Sequence, residues 1–256
     1  MRTVRDLPAR RPSSSAKWAL RLSLFVPAFA LMSIATHRAG LVDTLSFGNL
    51  ILATMALLAL AGLLILVGFV RLWSYGKKGG QRLMLAILAL STVGIPTAIG
   101  LFQMARYPAI VDVSTNLVDP PIFAFERTEF GSTASALVAG SLVDGYPDLA
   151  GRRYNTPSDT ILTTIERLAE ARGWESAGVI GRIGADDTIT LEFTRASLIM
   201  LLPGDVLIRL SDEGDTTFVD LRSRSRFFEH DLGANARLIE GYLDALDFAL
   251  IGTVQP

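Results

Sequence analysis

The stretch LILATMALLALAGLLILVGFV at residues 50–70 holds no charged side chain. At 1.5 Å rise per residue it forms a helix about 30 Å long, the thickness of a bilayer's hydrocarbon core. Downstream, Leu83 to Ala105 is equally uncharged and includes Gly94, Pro96 and Gly100. Such residues are tolerated inside lipid because neighbouring helices satisfy the freed backbone groups, and a kink is expected near Pro96. Upstream, Leu22 to Thr36 is shorter and contains Pro27, but Trp18 and Arg21 are suited to the interface and extend it. The pattern predicts spans at about residues 18–37, 47–72 and 82–105. A second reading makes the first segment a secretory signal, with Ser33-Ile34-Ala35 as its cleavage site. Both readings leave the remainder of the chain on the same side.

Orientation follows from lysine and arginine in the short loops. Arg2, Arg5, Arg10, Arg11 and Lys17 precede the first span, and Arg71, Lys77, Lys78 and Arg82 flank the connection between the second and third. Both stretches are predicted to be cytoplasmic. The sequence thus divides into a basic cytoplasmic N-terminus at 1–17, a three-helix membrane bundle at 18–105 and an extracytoplasmic domain at 106–256. The expected location is a cell inner membrane, with the last domain in the periplasm. No ionisable side chain lies in the central part of a span, so the bundle reads as an anchor rather than a conduit. Gly94 and Ala98 form a small-xxx-small pair that would seat a neighbouring helix, in this chain or in a second copy.

Composition agrees with this division. The chain is 50% hydrophobic and only 19% charged, which is too apolar for an ordinary soluble domain, and the excess lies before Arg106. A net charge of -1 argues against nucleic acid as a partner. The absence of cysteine removes disulfides, thiolate chemistry, zinc ribbons and iron–sulfur clusters. Nothing in the sequence calls for a cofactor or a metal.

In the outer domain, Pro108 and Asp119-Pro120-Pro121 predict an extended segment from Tyr107 to Phe125. Thr133 to Asp148 fits neither periodicity clearly, and Gly151 to Asn155 reads as a loop. A helix is expected from Thr156 as N-cap, with Pro157 at its first position, Ile161, Leu162, Ile165, Leu168 and Ala169 on its apolar face, and Gly173 at its end. The period then falls to two. Thr188 to Arg195, Asp205 to Leu210 and Thr216 to Ser223 are expected strands, the last two forming a hairpin around Ser211 to Asp215. A final helix capped by Asp231 or a neighbour carries Leu232, Ala236, Ile239, Leu243, Leu246 and Leu250. The class is α+β: a transmembrane bundle, then a small, mostly antiparallel sheet with helices on one face.

The stretch Val219-Asp220-Leu221-Arg222-Ser223-Arg224-Ser225-Arg226, followed by Asp231-Leu232-Gly233-Ala234-Asn235-Ala236-Arg237, resembles domain-of-unknown-function family 1499. Asp112-Val113-Ser114-Thr115, Asp119-Pro120-Pro121, Tyr146-Pro147-Asp148, Gly173-Trp174 and Asp205-Val206 support the resemblance, which covers most of Asp112 to Leu250. Arg237 comes one residue early. Gly204 stands where the family pattern has a second aspartate, and Phe228 where it has a glycine. The first departure weakens any paired-acid metal site at Asp205. The resemblance implies a fold, and for bacterial members an outer domain of a membrane protein, but no reaction.

Alternation on a strand places Arg222, Arg224 and Arg226 on one face, and Ser223 and Ser225 on the other. Such a stripe suits a carboxylate or phosphate, since a guanidinium donates through a planar fork. The structural reading pairs these arginines with Asp220, Asp231, Asp205 and Glu192. Asp231, Asn235 and Arg237 either join a binding site or brace the start of the last helix. His230 beside Asp231 raises a Ser/His/Asp hydrolase with Ser223 or Ser225, although no Gly-x-Ser-x-Gly elbow is present. Asp212, Glu213 and Asp215 around Gly214 miss the calcium-loop spacing and read as a turn. Phe227-Phe228 belongs to the core or dips into the membrane surface or a ligand groove.

Three functions follow as expectations. The first is a non-enzymatic envelope module that binds an anionic lipid, glycan or protein through the arginine stripe, with Asp205, Asp231, Asn235 and Arg237 in its site. The second is an envelope hydrolase or lipid-modifying enzyme using Asp205, Asp231 and His230. The third is a structural subunit of a membrane complex, associating through the spans.

Overall fold

The computed structural model describes residues 13–75, 78–125 and 145–251. The chain separates into two compact units, residues 1–101 and 102–256. Most of the ambiguous stretch from Thr133 lies outside the described residues.

Among the described residues, three helices are long and apolar enough to cross a membrane: α1 (Ser14–Arg38), α2 (Thr44–Tyr75) and α3 (Gly80–Arg106). Pro27 and Pro96 lie inside α1 and α3, whose helical runs continue through them. Small residues let the helices approach: Ala16 and Ala19 of α1 and Ala86 of α3 are buried with Leu83 against Leu64, Ile65 and Leu72 of α2. Gly94 of the small-residue pair faces Leu58 of α2, so its seat is filled from within the chain. Large apolar side chains such as Leu52, Leu63, Phe69 and Ile99 point outward, as expected where the solvent is acyl chain.

The second unit is the expected α+β domain. A sheet runs in the order β1-β6-β5-β4-β3, with β2 also pairing β6. The strands are β1 (Asp112–Ser114), β2 (Arg152–Tyr154), β3 (Glu175–Ile180), β4 (Thr188–Ala196), β5 (Pro203–Asp212) and β6 (Thr217–Ser225). All pairings are antiparallel. Helices α4 (Ser158–Ala171) and α5 (Ala234–Ile251) pack on one face.

Register explains the two faces. Leu191, Ile208 and Leu221 stand side by side, as do Ile189, Leu210 and Val219, and all point to the helices. The alternate positions carry Glu192, Asp205, Arg209, Asp220, Arg222 and Arg224, so the second face is charged. The apolar core is pinned by Tyr242, which stacks on Trp174 at 5.0 Å and donates its hydroxyl to the Ile165 carbonyl at 2.9 Å. Leu246 is fully buried while its neighbour Phe248 is 82% exposed. Leu246→Ala is therefore expected to destabilise the domain by about 2–5 kcal/mol, and Phe248→Ala to change thermal unfolding far less. Equal melting shifts would contradict this packing.

Several expectations need correction. Gly151 to Asn155 is not wholly loop, because Arg152–Tyr154 adds a short strand to the β6 edge. A three-residue strand shows no periodicity of its own. Helix α4 starts at Ser158 with Pro157 as a cap lacking any side-chain bond. The Thr156 carbonyl instead accepts the Thr217 hydroxyl, which takes Thr156 into the sheet edge. At the other end Gly173 takes φ +69° and closes the helix as expected. Leu232 lies before α5 with φ +58°, outside the helical stripe. The strand from Asp205 is longer than predicted, running from Pro203 to Asp212.

Candidate functional site

The arginine stripe lies on the charged face. Arg222 donates to Asp112 through Nε at 2.9 Å and Nη2 at 2.7 Å, and to the Pro121 carbonyl at 2.7 Å. Arg224 donates to Asp205 at 3.0 Å, and Arg226, just past the end of β6, reaches the same carboxylate at 2.5 Å. Beside them Arg209 donates to Asp220 at 2.7 Å and to Asp119 at 2.9 Å. Residues 116–125 lie across this face. Glu192 accepts the Ala124 and Phe125 amides, and the Phe123 ring sits under the Arg224 guanidinium at 4.1 Å.

The stripe is therefore a lattice of alternating charge, with arginine side chains only 13–19% exposed. Of the acids expected to pair with it, Asp205 does so. Asp220 serves Arg209, and Asp231 braces the turn into α5. Asp112, which the sequence did not suggest, holds Arg222. A pair at the domain's rim makes a useful contrast: Arg153 and Glu213 meet at 2.8 Å with 61% and 37% of their side chains exposed. Screening by water is expected to leave Arg153→Ala close to neutral for stability. The Glu213 carboxylate is engaged there, in the turn once weighed for calcium.

Asp231, Asn235 and Arg237 gather at the start of α5. The Asp231 carboxylate accepts the Gly233 and Asn235 amides at 2.8 and 2.7 Å, bracing the turn that leads into α5 and satisfying one first-turn amide. Asn235 is fully buried. Its Nδ2 donates to the Val111 carbonyl and to Ser225 Oγ, both at 3.0 Å. Its Oδ1 accepts Ser223 Oγ at 2.8 Å and Arg195 Nη2 at 2.5 Å. The Arg237 guanidinium stacks over Tyr107 at 5.1 Å and donates to the Leu232 carbonyl.

His230 is fixed by backbone. Its Nε2 lies 3.1 Å from both the Met104 and Tyr107 carbonyls, while Nδ1 accepts the Leu232 amide at 2.9 Å. These partners require the neutral tautomer with hydrogen on Nε2. Among the described residues no hydrogen bond joins His230 to Ser223, Ser225 or Asp231, so the imagined triad is not brought together.

The residue that sequence reading passed over is Arg195, at the end of β4. No carboxylate lies within ion-pair distance of its guanidinium among the described residues. Its Nε is shut off from solvent and donates to nothing. Burial holds its pKa below the usual arginine range, with Asp231 and Asp205 only partly countering. Both acids are occupied, one by backbone amides and the other by Arg224 and Arg226. Room for the guanidinium comes from Gly204, where a Cβ would meet Arg195 Cζ at 3.1 Å. Tyr146, whose buried hydroxyl also lacks a partner, has its pKa pushed up to about 12, by burial first and then by the Asp231 charge. Only the unpaired state of Arg195 marks it out, and that state has no signature in sequence.

An α+β domain of this topology, following three apolar helices and carrying a buried charge lattice, defines a class of membrane-associated protein. A family model described as "Protein of unknown function (DUF1499)" matches residues 112–246, and the chain belongs to that family. No curated protein matches it.

Proposed function

We propose that this protein is a membrane-anchored anion-binding module, with its folded domain on the extracytoplasmic side, and that Arg195 rather than the stripe receives the anion. The observation that carries this reading is the part-buried Arg195 guanidinium, whose enclosed Nε has no partner and which no carboxylate pairs among the described residues. A charge taken from water without a partner costs several kcal/mol, so a site that keeps one is poised for a ligand of opposite sign. Asn235 holds Nη2, while Nη1 donates to nothing and is not closed off from solvent. A phosphate or carboxylate oxygen is the chemical complement of that free N–H. The acids that would compete for the arginine are held elsewhere. Topology is supported by the basic residues before the first span and between the second and third.

Two measurements test this. A C-terminal reporter active only outside the cytoplasm is expected to be active, and activity of a cytoplasm-specific reporter instead would reverse the orientation. In detergent, millimolar inorganic phosphate at constant ionic strength is expected to raise the melting temperature of the wild-type domain. Arg195→Met is expected to melt no lower than wild type without phosphate, because it removes an uncompensated charge, and to lose the phosphate response. A response of equal size in both proteins would refute the assignment.

A further inference from the structure

The two edges of the sheet differ in kind. On the β6 side the edge is divided between β1 and β2, three residues each, and β2 carries Arg152 and Arg153. Short strands and charged side chains are ordinary means of keeping a sheet edge from pairing with another chain. The β3 side is longer and uncharged. β3 closes the sheet at Glu175–Ile180, and among the described residues no strand pairs with its outer side. Alternate residues of such a strand turn their amides and carbonyls away from the sheet. From Ser176 to Gly181 the run SAGVIG holds no charge and no proline, and Val179 and Ile180 are 47% and 44% exposed. Charge returns at the two ends, with Glu175 and Arg182, and neither side chain has an ion-pair partner among the described residues.

This edge is complementary to a second copy of itself. Register with β4 puts Val179 beside Leu191, on the face covered by helices, and Gly178 and Ile180 beside Glu192 and Thr190, on the charged face. A bulge between Ser176 and Gly178 adds one residue to β3, which returns Glu175, opposite Thr194, to the charged face. In an antiparallel pair, residues opposite each other share a face. A two-fold axis at Val179 respects this rule. The two Val179 side chains meet on one face, and on the other each Ile180 meets the partner's Gly178. The Phe125 ring fills the space that a Gly178 Cβ would take and is itself 43% exposed, so Ile180 reaches an aromatic ring rather than a gap. Further out, the extra residue of the bulge brings Glu175 opposite the partner's Arg182. Such a pairing is isologous, and each off-axis contact occurs twice.

We infer that the protein forms a homodimer in which the β3 strands of two copies pair antiparallel about Val179, joining two sheets into one. A strand from an unrelated protein would satisfy the main chain but not Glu175 and Arg182 together. The interface is short, below the roughly 1,000 Å² of a stable soluble complex. Copies anchored by their apolar helices in one membrane meet at a raised effective concentration, which lets a short interface suffice. No residue of the Arg195 site takes part, so the dimer stands or falls independently of the anion-binding reading.

The chain has no cysteine, so a single introduced cysteine reports the contact directly. Residues facing each other across an antiparallel pair lie about 4.5–5.5 Å apart at Cα, within disulfide range. The test uses the full chain in proteoliposomes under mild oxidation. Val179→Cys is expected to give disulfide-linked dimer in about tenfold higher yield than Phe248→Cys, an exposed position on α5 that reports chance collision. On the Val179→Cys background, Glu175→Arg or Arg182→Glu alone sets like charges opposite each other and is expected to lower the yield about fivefold, and the two together to restore it. Thermal unfolding of each variant, expected to match wild type at these exposed positions, shows that a lost yield is lost pairing. Equal yields at Val179 and Phe248 would overturn the dimer. A high yield at Val179 that neither charge reversal lowers would overturn the pairing about Val179. A disulfide from Val179→Cys to a different protein in native membranes, in place of the dimer, would overturn the second copy as occupant.

Discussion

Asp205→Ala is expected to lower the stability of the C-terminal domain by about 3–5 kcal/mol, the range for breaking a buried ion pair by removing one partner. One carboxylate here serves two guanidiniums: Arg224 at 3.0 Å and Arg226 at 2.5 Å, all three side chains at most 19% exposed. Removing it takes from Arg224 and Arg226 the carboxylate they share in a poorly solvated place. For a domain of this size the loss corresponds to a fall in melting temperature on the order of 10 °C. Asp205→Asn is expected to recover only part, since an amide accepts from one arginine but cannot neutralise two. The Arg153–Glu213 pair is the internal standard, because its water-screened charges are expected to be nearly silent in the same assay. A fall for Asp205→Ala no larger than that for Arg153→Ala would show that the lattice does not hold the sheet.

Asn235→Ala should be of comparable size for a different reason. This side chain is neutral, yet it satisfies Arg195, Ser223, Ser225 and the Val111 carbonyl together, from a fully buried position. Each buried partner left without a hydrogen bond costs about 1–3 kcal/mol, more where a charge is involved, and water cannot readily enter to replace the amide. The expected loss is about 3 kcal/mol or more. Unlike Asp205→Ala it should also weaken phosphate stabilisation, because Nη2 of Arg195 loses the acceptor that orients it. Thermal unfolding with and without phosphate separates the two variants. Full retention of the phosphate response in a folded Asn235→Ala protein would remove Asn235 from the site.

The contrast between these two residues shows how far the sequence was legible at the candidate site. The alternation of Arg222 with Ser223 and Arg224 with Ser225 put guanidiniums and hydroxyls on opposite faces, and the structure keeps them there. Asp231 at the start of the last helix was equally readable, since bracing a helix start is a contact between near neighbours. The acid that takes each arginine was not. Asp112 lies 110 residues from Arg222 and became its partner only because a three-residue strand docks on the edge of β6. Asn235 read as a helix-start residue, and nothing local announced that its amide would reach Arg195 forty positions away.

By itself, the sequence determined the three apolar helices, the two-residue period of the main strands, the apolar stripes of α4 and α5, and hence the α+β class. Each of these is a local property: whether a segment prefers lipid, or buries one face, depends on side chains within a few turns or a few alternations of one another. Tertiary structure alone decided that both short strands join the β6 edge, that residues 116–125 cover the charged face, and that Arg195 is left without a carboxylate. Those outcomes depend on which distant groups compete for the same partner, and a guanidinium loses that competition only once every nearby acid has been placed.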